Sequence, residues 1–77
     1  MSKSLTPEQE KIAIEIASAL DDMHSIRSHR KYVQVFSENV LREVLAKTLA
    51  TPEKDIWKSR GALFTSILQG YAGYRRN

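Results

Sequence analysis

The sequence predicts an all-α fold, a small bundle of three to five helices. Three observations carry this. Apolar residues recur at helical spacing around 12–20, 32–49 and 63–71. Thr-Pro-Glu occurs twice, at Thr6-Pro7-Glu8 and Thr51-Pro52-Glu53, each time placing a polar cap before a proline suited to a first helical turn. The one alternating segment, Tyr32-Val33-Gln34-Val35-Phe36, has no hairpin partner.

The first helix is the best marked. Thr6 can cap it, Pro7 fits its first position, and Gln9 can close a capping box. Glu8 and Glu10 lie where the macrodipole favours carboxylates. Ile12, Ile16 and Leu20, with Ala13 and Ala17 beside them, form one stripe, and the helix should end near Asp22 or Met23. His24 to Lys31 is polar, basic and serine-containing, and is expected to be a connection. From Tyr32 the stripe returns through Val33, Phe36, Val40, Leu41, Val44, Leu45 and Leu49, with a break expected near Phe36 or Ser37. The residue before a proline disfavours helical geometry, so this helix should stop near Ala50. One or two turns are expected from Pro52 through Trp57. Ser59 then caps a last helix carrying Phe64, Ile67, Leu68 and Tyr71 on one face. Gly70 and Gly73 should end it.

Seventy-seven residues make a single domain, 1–77, with 1–5 and 74–77 expected as mobile tails. A core this small is marginal, and no cysteine is present to staple it. A homodimer is therefore a reasonable expectation. No apolar run reaches the ~20 residues of a membrane span, and no signal-peptide stretch follows Met1. A cytoplasmic protein without membrane contact is expected.

The net charge of +3 is unevenly placed. Residues 1–23 hold two lysines and five acids, whereas residues 24–77 hold ten Lys/Arg and four acids. Such asymmetry suggests two faces that pair with each other, inside the fold or across a dimer, or that serve different partners.

Catalysis is not expected. There is no cysteine and no Gly-x-Ser-x-Gly, and the three separated glycines cannot build a phosphate-cradling loop. His24 and His29 lack the i, i+4 spacing of a zinc pair, and Asp21, Asp22 and His24 read as neighbouring surface polar residues. No metal, cofactor or small-molecule substrate is predicted.

The cations are more informative. Arg27, Arg30 and Lys31 lie beside Tyr32, Lys58 and Arg60 flank Trp57 and Gly61, and Arg75 and Arg76 follow Tyr74. Cations interleaved with aromatics can neutralise phosphates and offer stacking planes. These seven cations are the candidate nucleic-acid contacts, with DNA ahead of RNA. The alternative is a helical protein-interaction module, in which Trp57 is core and Gly61 permits close packing.

Residues 51–68, from Thr51-Pro52-Glu53 through Ser59-Arg60-Gly61-Ala62-Leu63-Phe64 to Ile67-Leu68, resemble helical segments near the ends of bacterial plasmid and mobile-element replication proteins. In those a polar cap, often Asn-Pro, opens a short amphipathic helix; here Ser59-Arg60 stands in its place. The resemblance implies a DNA-associated helical module and assigns no catalytic or base-reading residue.

Overall fold

The computed structural model describes residues 5–56 and 58–71. Among them are four α-helices and no strand: α1 (Pro7–Ala19), α2 (Ile26–Val35), α3 (Glu38–Ala50) and α4 (Arg60–Gln69). Short 3₁₀ turns at Met23–Ser25 and Glu53–Asp55 lie between α1 and α2 and between α3 and α4.

Caps fix the helix starts. Thr6 Oγ1 accepts from the Gln9 amide and Gln9 Oε1 accepts from the Thr6 amide, each at 3.0 Å, which completes the capping box. Ser37 and Ser59 accept from the Val40 and Ala62 amides and so open α3 and α4. The expected break at Ser37 is thus a helix boundary. The Pro52 start amounts to one 3₁₀ turn, Glu53–Asp55.

Two expectations need correction. The first helix ends earlier than predicted, at Ala19. The Asp22 amide donates to Ala17 O at 2.7 Å and the Asp21 amide to Ser18 O at 3.1 Å. This is a Schellman closure, and it puts Asp21 at φ 53°, a left-handed position that glycine usually fills. Second, the basic stretch expected as a connection is mostly helix. Only Met23–Ser25 is a turn, and Ile26 to Lys31 belongs to α2. Its apolar stripe was hidden because His29 stands where a hydrophobic residue would complete it, four before Val33 and seven before Phe36.

The helices pack chiefly as α1 against α2 and α3 against α4. Ile12, Ile16, Leu20, Val33, Phe36, Leu41, Val44, Leu45, Phe64 and Leu68 form one buried cluster, with Phe64 fully enclosed. Ala13 and Ala17 are also buried, so α1 meets its neighbours through short side chains. Leu5 packs against the cluster and is not a free tail. Gly70 ends α4 with an ordinary right-handed φ of −68°, while Gly73 and residues 74–77 lie outside the described residues.

Polar contacts bind the helices at the surface. Arg42 on α3 reaches Glu15 on α1 at 2.9 Å and Glu38 on its own helix at 2.7 Å. Hydrogen bonding to Arg42 and its charge hold the Glu15 carboxyl below its usual range. This contribution is present above the unfolded carboxylate pKa and is lost as pH falls through the depressed value. At the far end Tyr71 donates to Glu43 at 2.6 Å and accepts from Lys47, which ties the end of α4 to α3.

The left-handed residue gives the first prediction. Asp21→Gly should raise stability by about 0.5–1 kcal/mol, because glycine lacks the Cβ penalty at positive φ. Urea denaturation monitored by far-UV circular dichroism measures it. A loss of stability would show that the Asp21 side chain contributes more than its backbone strain costs.

Candidate functional site

The turn that follows α1 delivers a carboxylate into the protein. Asp22 is 7% exposed and sits between two imidazoles. Its Oδ2 lies 2.9 Å from His29 Nε2 and its Oδ1 lies 3.2 Å from His24 Nε2. The two histidines differ sharply: His29 is buried, and the His24 side chain is 80% exposed. An ionised carboxylate only accepts, so His29 carries its proton on Nε2 when neutral. Its Nδ1 is buried with no hydrogen-bond partner among the described residues. The ring packs edge-on against Tyr32 and Phe64, at centroid distances of 5.8 and 5.7 Å. Tyr32 in turn bonds Thr65 on α4 through its hydroxyl at 3.2 Å.

Helix α4 meets the same carboxylate. A Cβ built on Gly61 would lie 2.4 Å from the Asp22 carboxylate, so only glycine allows this approach. Gly61 thus serves close packing, against a carboxylate of the chain itself. A small open depression of about 210 Å³ lies over the cluster. Ser25, Ser28 and His29 line it from the α2 side, and Ser59, Gly61 and Thr65 from the α4 side. Among the described residues no hydroxyl is bonded to His29 Nδ1. Among the described residues no three His, Cys, Asp or Glu side chains are placed to hold a metal ion.

The predicted cations fall into three groups. Arg27 and Lys31 are exposed, one turn apart on α2, and make no ion pair or hydrogen bond among the described residues. Lys58, just before α4, is likewise exposed and unpaired, beside a second depression of about 320 Å³ that shares Ser59 and Ala62 with the first. Arg30 and Arg60 are engaged. Arg30 grips Glu10 of α1 through Nε and Nη2 at 3.1–3.2 Å. Arg60 Nη1 donates to Thr48 O at 2.9 Å and Thr51 O at 3.2 Å, closing the carboxyl end of α3. Arg75, Arg76 and Trp57 lie outside the described residues.

Of the aromatics beside the candidate cations, Tyr32 is described, while Trp57 and Tyr74 lie outside the described residues. Phe36 and Phe64 are buried, Tyr32 is tied to Thr65, and Tyr71 is held by Glu43 and Lys47. These rings serve packing and helix docking. Asp22 and Thr65 were missed as site residues. His29 had one legible signal, its place in the Val33–Phe36 stripe.

Comparison with known protein families, curated proteins and solved structures gives no match to this chain.

Gly61→Ala tests the close approach. Alanine should gain about 1 kcal/mol of helix propensity. Overpacking against a held carboxylate costs about 1–3 kcal/mol, so the net effect should be destabilising. In an Asp22→Ala background the same change should become neutral or favourable. A double-mutant cycle by thermal denaturation measures the coupling, and additive effects would mean that the two residues do not press on one another.

Proposed function

We propose that the chain is a small helical nucleic-acid-binding domain that engages phosphates through the outer face of α2 and the start of α4. The observation that supports this is the division of the cations. Arg30, Arg42, Lys47 and Arg60 are held by acids or by backbone carbonyls, while the other five described cations, Lys11, Arg27, Lys31, Lys54 and Lys58, are exposed and make no ion pair or hydrogen bond among the described residues, and Arg27 and Lys31 share one face of α2. Helix α2 contains no acid, and its three cations are Arg27, Arg30 and Lys31. Ser28 lies beside Arg27 and Lys31 on this exposed surface and can donate to a phosphate oxygen.

DNA is the favoured partner, on the resemblance of residues 51–68 to replication-protein segments. No base-reading residue is assigned, so weak sequence preference is expected. Arg75 and Arg76 would add a tail contact. Arg30 can contribute to the field without leaving Glu10. Arg60 serves to position the start of α4 and is not counted among the direct contacts.

A rival reading has its own observation. The described residues hold nine cations and nine acids; the surplus of three consists of Lys3, Arg75 and Arg76. Ile14, Met23 and Leu49 are 42–47% exposed. A neutral body with exposed apolar side chains suits a protein-interaction module or a homodimer. Sedimentation at high concentration separates this reading, because a single-subunit mass argues against self-association.

The direct test is fluorescence anisotropy with a labelled DNA duplex at about 50 and about 200 mM salt. The double variant Arg27→Glu/Lys31→Glu should weaken binding at least about tenfold, and its log–log salt slope should be shallower by about two. Binding and slope unchanged from the parent would remove α2 as the interface. No saturable binding by the parent protein at low salt would discard the nucleic-acid reading.

A further inference from the structure

Asp22 and its two histidines lie in the depression between α2 and α4, which is also lined by Ser28, next to Arg27 in α2, and by Ser59, which it shares with the depression beside Lys58. With both imidazoles neutral, this cluster carries one negative charge. An uncompensated carboxylate opposes an incoming phosphate there. The two histidines stand on different carboxylate oxygens and differ in what protonation would require. His29 is enclosed by Tyr32 and Phe64, and among the described residues its Nδ1 has no acceptor to receive a proton's hydrogen bond. His24 has an open ring, 3.2 Å from Asp22 Oδ1, three residues before Arg27. Its second nitrogen is free to meet water or a phosphate oxygen.

We infer that His24 and Asp22 form a proton-operated gate on phosphate binding, with His29 holding Asp22 in place. Protonated His24 neutralises the carboxylate and presents a cation next to Arg27; neutral His24 leaves the carboxylate to repel the ligand. Histidine is the side chain whose ordinary charge change falls between about pH 5 and 8, which makes this a device for mildly acidic conditions. The groups facing Asp22 are few. The turn before α2 contributes His24, and α2 contributes His29, with the Tyr32 hydroxyl beyond its ring. The α4 side contributes Ser59, Gly61, Ala62 and Thr65, none of which titrates in this range. These are also the only two histidines in the chain, and it has no cysteine, so few other side chains can produce a response there.

This inference rests on the nucleic-acid reading, and the test separates the two. Duplex binding is measured by anisotropy at fixed salt, at about pH 8 and about pH 5.5, for the parent chain, His24→Gln and His24→Arg. His24 is exposed, so neither substitution threatens the core. The parent should bind about fivefold tighter at the lower pH, the size of one close charge contact in water. His24→Gln should stay at the weaker affinity at both values, and His24→Arg at the tighter one. A parent that binds equally at both pH values, or a His24→Gln variant that keeps the full gain, overturns the gate and leaves the nucleic-acid reading standing. Absence of binding at both values removes both.

Discussion

The structure turns on a single buried carboxylate. Taking an ionised Asp22 out of water costs several kcal/mol unless donors replace its hydration. The His29 imidazole of α2 hydrogen-bonds one oxygen, His24 of the turn stands 3.2 Å from the other, and the glycine at the start of α4 leaves room for both. Three parts of the chain therefore meet on one side chain. That requirement explains a histidine in a hydrophobic stripe and a glycine in the first turn of a helix. Each is locally unfavourable and each is compensated by the same contact.

The orientation of α2 follows. Once His29 faces inward to reach Asp22, residues two before and two after it lie about 160° round the helix, on the outside. Those residues are Arg27 and Lys31. The basic surface is thus a consequence of the buried pair as much as of the cations themselves. Arg30, one step from His29, is turned towards α1 and is taken by Glu10. The charge asymmetry along the chain is largely resolved inside the fold, since Glu10 and Glu15 of the acidic segment meet Arg30 and Arg42 of the basic one. Exposed pairs of this kind contribute little stability, roughly 0–1 kcal/mol each. Their larger effect is to decide which cations remain free.

Arg60 makes the same point at the other end of the molecule. Its sequence position beside Lys58 made it a candidate phosphate contact. In the fold its guanidinium closes the last turn of α3, whose Thr48 is buried with its hydroxyl bonded to Val44 O. Thr51 Oγ1 donates to Lys47 O beside it, so these carbonyls are satisfied before Pro52 removes the chain from the helix.

The sequence alone determined the fold class and most helix boundaries, because capping chemistry and proline act over three or four residues. Thr6 with Gln9, Ser37, Ser59 and Pro52 each mark a start or a stop without reference to the rest of the chain. The core stripes of α1, α3 and α4 were equally legible, since their apolar residues follow the helical period. What the tertiary structure decided was the fate of polar groups. Whether a cation is free or paired, or a histidine exposed or buried, depends on partners 7 to 27 residues away, as in Asp22 with His29 and Glu15 with Arg42. Local periodicity carries no record of such partners. The interior therefore holds Asp22, His29 and Thr48, three residues that composition would assign to the surface, because hydrogen bonds formed only on folding replace their water.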